Sequence, residues 1–247
     1  MKFDTSDIKL SKMDVVRGLI LPSKLNEELA EDIGFMIGDG HIGIYIRSKR
    51  SADYVIMGSG HASDDKEYIS KHIRGLKRKL YGLRFPVSYQ GNTKSEIRLK
   101  LNCKSLLHFY RDVIGLPMNK KEEIGIPKII WKDKKCLAAC LRGLVDTDFA
   151  FSIKKRNYPV LKLGTSSKKL VEDCKKAFEM FGIESSIKTD VKEYDKRTKK
   201  YYIGNYLYIS GHDKFKMYVD QIGFSNDKNK KKYKKWAHGD SNPGLID

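Results

Sequence analysis

Acidic residues are in short supply in this chain. Over 247 residues, 31 Asp and Glu stand against 49 Lys and Arg, a formal net charge of +18. That imbalance implies a polyanionic partner; nucleic acid is the commonest, with an anionic membrane surface as the rival. Long apolar runs are missing too. No stretch is long enough to span a bilayer and no signal-like start is visible, which argues against a membrane or secreted protein and for the cytoplasm or an organelle. Cysteine is sparse, with four residues. Cys136 and Cys140 are too far apart for a Cys-x-x-Cys pair and Cys103 and Cys174 are isolated, so buried thiols fit better than structural zinc. What the chain has is core material, 40% hydrophobic and 11% aromatic, which excludes a disordered basic tail and is enough for one domain or two small ones.

It also has a repeat. Residues 30–40 read Ala-Glu-Asp-Ile-Gly-Phe-Met-Ile-Gly-Asp-Gly, and residues 139–149 read Ala-Cys-Leu-Arg-Gly-Leu-Val-Asp-Thr-Asp-Phe. Ala30 matches Ala139, Gly34 matches Gly143 and Asp39 matches Asp148, at a constant offset of 109. A helix with small residues four apart is suited to close contact with a copy of itself, and such contact brings Asp39 and Asp148 together. Each acid ends its helix, at the negative pole of the helix dipole, so the pair calls for a positive counter-ion. A divalent metal with oxygen ligands fits: magnesium needs only a few carboxylates beside waters and phosphate oxygens, and other divalent cations are possible.

The flanking segments repeat in the same order. In the first half, alternation predicts strands at Ile42–Arg47, Tyr54–Met57, Phe85–Tyr89 and Glu96–Leu101, the last two around a Gly91-Asn92 turn. Helices are predicted at Ser63–Gly82 and Ser105–Gly115. The second half gives strands at Phe151–Lys154, Val160–Leu163 around Asn157, Ser186–Val191 and Tyr201–Ser210, with helices at Ser167–Gly182 and Lys214–Gly223. The halves end alike, Tyr110-x-Asp112-x-Ile114-Gly115 against Tyr218-x-Asp220-x-Ile222-Gly223. Two helix–strand–strand–helix–strand–strand–helix units predict an α+β pseudo-dimer in one chain, divided as 1–125, 126–225 and a basic tail, 226–247, whose last residues are expected to be flexible.

With both motifs in view, the chain resembles the LAGLIDADG homing endonucleases in their monomeric, two-repeat form, over about residues 26–224. The resemblance implies motif helices packed at the interface and antiparallel sheets forming a saddle on the major groove of a long duplex target. It implies a site-specific double-strand DNA endonuclease in which Asp39 and Asp148 bind metal, normally magnesium, and hydrolyse both strands across the minor groove. Asp146, which falls where the first repeat has Ile37, is read as structural. The second motif departs from the pattern in having Phe149 where the first has Gly40. Glycine there would ease a left-handed or tight turn, whereas Phe149 must keep a negative φ or accept strain.

The resemblance also implies a lysine near the scissile phosphates. Counting back from the Tyr110 block puts Lys100 there as a third catalytic residue, with Tyr208 opposite it in repeat two; His61 is another pocket candidate, and Lys154 or Lys155 could substitute. Base reading requires polar side chains at every second position of the open sheet faces: Arg47, Lys49, Ser88, Gln90, Arg98, Lys154, Arg156, Lys162, Lys188 and Tyr206. The tail lysines Lys228, Lys230, Lys231, Lys232, Lys234 and Lys235 would hold phosphates or stay solvated. The chain lacks the Cys or Ser start and His-Asn end of a self-splicing intein, so a free-standing enzyme is expected. The alternatives are an intron RNA maturase on the same scaffold, which needs the basic surface but not the acids, and a regulator, for whose added helix-turn-helix there is no room. Without the repeat, a ribosome- or tRNA-binding protein would be the default for this charge.

Overall fold

The computed structural model describes residues 2–49, 51–91, 93–119 and 122–237. After a short helix, α1 (Lys12–Val16), the elements run α2 (Glu27–Gly38), β1 (Gly40–Ser48), β2 (Ser51–His61), a π-type turn at Tyr68–Ile73 leading into α3 (Arg74–Tyr81), β3 (Val87–Gln90), β4 (Glu96–Asn102), and α4 (Lys104–His108) with a second π-type turn at Phe109–Ile114. The second half runs α5 (Lys134–Asp148), β5 (Phe149–Lys154), β6 (Tyr158–Thr165), α6 (Lys168–Glu179), β7 (Ser186–Asp195), β8 (Lys200–Ser210), α7 (His212–Gln221) and α8 (Asp227–Ala237). Each half forms a four-stranded antiparallel sheet, ordered β1-β2-β4-β3 and β5-β6-β8-β7. Side-chain alternation sets the faces. On β4, Ile97 and Leu99 are buried under the helices, so Glu96, Arg98 and Lys100 point to the uncovered face. No helix among the described residues is long and apolar enough to cross a membrane.

Both motif helices start at side-chain caps. Asn26 accepts from Leu29 N at 2.8 Å and Asp133 from Cys136 N at 2.9 Å. Several strands are longer than expected, β7 reaching Asp195, and three elements depart for a visible physical reason. Strand β2 runs on past Met57 to His61 through two glycines that interrupt the apolar pattern. A Cβ at Gly58 would lie 2.4 Å from the Phe35 ring, and one at Gly60 2.5 Å from Ile69 Cδ1, so packing demands glycine there. The helix expected from Ser63 starts later, because Asp65 is spent on closing the turn after β2, where it accepts from His61 N at 3.1 Å. The lysine run, for which no element was predicted within the basic tail, is helical in α8: Tyr233 and Trp236 pack on Phe215, with ring centroids at 6.1 and 5.0 Å. The expected Asn92 turn position and the terminal residues 238–247 lie outside the described residues.

Candidate active site

The motif helices α2 and α5 touch backbone to backbone through their glycines. A Cβ at Gly34 would lie 2.0 Å from the Cys140 carbonyl oxygen, and one at Gly143 2.3 Å from that of Glu31. Positions 31 and 140 are themselves related by the offset of 109, so the contact is reciprocal, as across the two-fold axis of a homodimer. At the far end of the crossing, a Cβ at Gly38 would meet Thr147 Oγ1 at 2.0 Å and Asp148 Cγ at 3.3 Å. The acid that ends α5 therefore lies against the end of α2, next to Asp39. Asp39 is half-buried with φ −92° and ψ 5°; its N–H donates to the Phe35 carbonyl (3.0 Å), and its own carbonyl accepts from Ser59 N (3.2 Å), which fastens it to β2. Asp148 is half-buried as well.

This donor set suits a hard cation. Asp39 and Asp148, at the adjoining ends of the two helices and without a group of three or more His, Cys, Asp or Glu among the described residues, would leave coordination positions for water and phosphate oxygen, as magnesium prefers, and offer no soft ligand for zinc.

The turns after the two acids differ, for a reason other than the expected one. Gly40 is not left-handed. It is glycine because a Cβ would sit 2.4 Å from Met36 Cα and from its carbonyl oxygen. Phe149 is extended (φ −93°, ψ 134°), unstrained and buried, edge-on to Phe178 at 6.0 Å. The repeats exchange the source of the aromatic ring. In the first it comes from the helix, where Phe35 covers Gly58, the β2 partner of Gly40; in the second the helix position is Leu144 and the strands supply Phe149 and its partner Leu163.

The uncovered sheet faces carry the basic residues in rows. One row, just beyond Asp39, holds His41, Met57 and Lys100. The matching row beyond Asp148 holds Ala150, Lys162, Tyr208 and Ser186. Lys100 and Tyr208 do fall in equivalent places. The basic side chain of the second row is Lys162, whose Nζ stands 4.5 Å from the ring centroid of Tyr206 and 5.7 Å from that of Tyr208. Lys154 and Lys155 cannot replace it, since Lys154 lies four residues along β5 from Ala150, about 13 Å away. His41, with Nε2 2.7 Å from Tyr45 Oη, escaped the sequence reading, although its place two residues after Asp39 was a signal. His61 is exposed at the end of β2, its Nδ1 2.9 Å from Ser63 Oγ and four residues along the strand from Met57 of the Lys100 row.

Of the expected base-reading side chains, Ser88, Gln90, Arg98, Lys154, Lys162 and Lys188 lie on the uncovered faces. Arg98 is held by Glu96, with Nε and Nη2 each at 2.7 Å from a carboxylate oxygen, and Arg47 is held by Asp53 at 2.6 Å. Lys49 and Arg156 are exposed at the hairpin ends, Arg156 with φ 59°. Tyr206 is 8% exposed, beneath Lys162, so it supports that side chain instead of presenting its own edge.

Asp146 is buried and fully engaged. It accepts from Ser225 N (2.5 Å), Asn226 N (2.8 Å) and Asn229 Nδ2 (2.9 Å), anchoring the start of α8, and burial pushes its carboxyl up to about 6 despite these donors. Its role is structural. A buried cluster also went unforeseen: Lys77 Nζ donates to Asp32 Oδ1 (2.6 Å), and the Tyr81 hydroxyl donates to Asp32 Oδ2 (2.7 Å), at the back of the first motif helix.

Residues 135–223 match the LAGLIDADG-like domain family. The chain is 30% identical over 229 residues to the replication factor C small subunit of Methanocaldococcus jannaschii, covering 90% of this chain but only 11% of that protein. Among solved structures, the fold is similar to that of the homing endonuclease I-DmoI in complex with DNA and calcium (TM-score 0.61, 17% identity, 84% of this chain and 97% of that one). It is also similar to that of the homing endonuclease I-WcaI bound to its DNA recognition sequence (TM-score 0.54, 15% identity, 90% and 92%). At these identities the likeness is one of fold.

Proposed function

We propose that the chain is a LAGLIDADG protein in the single-chain, two-repeat form, supported by the match of its second half and by the likeness of fold, and that it is a site-specific DNA endonuclease that cuts both strands of a long duplex by metal-dependent phosphodiester hydrolysis. The observation that carries this reading is the meeting of Asp148 with the helix end that bears Asp39, between two sheet faces lined with lysine and arginine. Asp39 and Asp148 would hold the divalent cation, magnesium by preference, which supplies Lewis-acid stabilisation and a more acidic bound water. The chain's own groups do the rest. The sheet faces seat the backbone, and Lys100 and Lys162 place ammonium groups one row beyond each acid, where they can offset charge developing on a scissile phosphate. His41 shares the Lys100 row and is a candidate to orient water. The chain acts as a monomer, its two repeats dividing near residue 125. An intron maturase role has no support among the relatives.

The test is cleavage of a randomised duplex library in magnesium, read by sequencing the ends. Asp39→Asn should abolish cutting and leave DNA affinity within about tenfold, because one ligand is lost and the binding surface is not. A wild-type protein that prefers an intron transcript over duplex DNA and cuts no duplex would overturn the proposal.

A further inference from the structure

Strands β1 and β5 each lie at one edge of their sheet, and each has an edge carbonyl capped from outside. In the first repeat the Ile42 carbonyl accepts from Asn119 N, in the segment that follows Gly115. In the second, the Phe151 carbonyl accepts from Lys232 Nζ, in the segment that follows Gly223. Ile42 and Phe151 are equivalent at the offset of 109. The same job is thus done twice, but the first segment goes on to the second motif helix, whereas the second becomes α8. This helix is firmly docked. Asp146 holds its start, Lys228 Nζ reaches Asp65 of the first repeat at 2.9 Å, and at its far end Trp236 Nε1 donates to the Asn157 carbonyl at 2.8 Å. Its outward face is mainly lysine: Lys230, Lys231 and Lys234 are exposed on one side, with Asp227 on the same side 3.3 Å from Lys230 Nζ. Its far end adjoins the β5–β6 turn, where Lys155 and Arg156 are exposed.

We propose that α8 is a rail for the sugar–phosphate backbone of duplex DNA, running beside the second sheet and gripping one strand through Lys230, Lys231 and Lys234. The inference rests on the endonuclease reading. Eleven helical residues are about 16 Å long, roughly five base-pair steps. Among the described residues the rail has no helical counterpart at β1, so its hold falls on one half of the target. It reads no bases: a lysine ammonium on phosphate carries no sequence information.

The experiment is a salt titration of duplex binding by the full chain and by K230Q/K231Q/K234Q, with phosphate-ethylation interference on the bound duplex and with Tm and Trp236 fluorescence as checks that α8 remains docked. The slope of log affinity against log salt should become shallower by about 2–3, since each phosphate contact contributes about 0.9. The loss should be the same for specific and non-specific duplex, and interference should vanish on one strand of one half-site. An unchanged slope with α8 docked, or a loss shared by both half-sites, overturns the rail and leaves the endonuclease reading standing. Failure of the wild-type protein to bind duplex at all sinks the endonuclease reading itself. If the triple variant loosens α8, K231Q and K234Q are read singly, and each should make the slope shallower by about 0.9.

Discussion

Glu31 on the first motif helix holds Arg142 on the second, with Nη2 at 2.8 Å and Nε at 3.1 Å from the same carboxylate oxygen. The other oxygen lies 2.7 Å from His72 Nε2. Burial alone would raise this carboxyl, but the His72 hydrogen bond and the Arg142 charge outweigh it and hold the carboxyl at about 2. A depressed carboxyl stabilises the fold above its ordinary value of 4.5 and loses that contribution as pH falls towards 2. Glu31→Gln should therefore destabilise the protein by roughly 2–4 kcal/mol at neutral pH and converge on the wild type in strong acid. Urea unfolding across that pH range checks this, and a constant difference between the two proteins would refute it.

Two glycine-to-alanine changes should act in opposite directions. At Gly34 the new methyl group would overlap the Cys140 carbonyl, so the motif helices must separate, at a cost of about 2–3 kcal/mol. At Gly75, inside α3, a Cβ meets nothing within 4 Å, and Gly75→Ala should stabilise by about 0.5–1 kcal/mol. Thermal melts of both variants decide it.

Phe149→Gly should lower stability by about 3–5 kcal/mol, because the ring fills the core against Phe178. Repairing the glycine pattern of the first motif does not restore the first repeat's packing, since Leu144 stands where Phe35 would have to be. A melting temperature equal to that of the wild type would mean the ring is dispensable.

Lys100→Met and Lys162→Met should each slow nicking of a different DNA strand, on the order of 100-fold. Lys154→Met should leave both strands within a few-fold of the wild type, as it sits about 13 Å along β5 from the Ala150 row. Single-turnover nicking with the two strands labelled separately is the measurement, and equal slowing of both strands by Lys162→Met would remove its assigned place.

The architecture was legible in the sequence because it is written twice. Gly34 and Gly143 mark the helix contact, and Asp39 and Asp148 mark its end, in residues whose spacing a helix fixes without help from the rest of the chain. What was not legible depended on partners distant in sequence. Gly58 and Gly60 look like strand breaks until Phe35 and Ile69 are seen to occupy the space beside them. Lys162 becomes the counterpart of Lys100 only when the β6–β8 register sets it beside Tyr208. The lysine run became a helix because Phe215 and Asn157 received its aromatic residues, which no local propensity announces.

Asn226 reaches both halves of the molecule: its N–H donates to Asp146 of the second repeat, and its side-chain amide lies 3.1 Å from Asp65 Oδ1 of the first. Lys228 of α8 reaches Asp65 too, while Asn229 and Trp236 bond to the second repeat, so the helix seats mainly on the second repeat and acts as a latch across its junction with the first. Trp236, whose indole bonds to the Asn157 carbonyl at the far end of that latch, reports its seating optically once Trp131, the other tryptophan, is replaced by Phe.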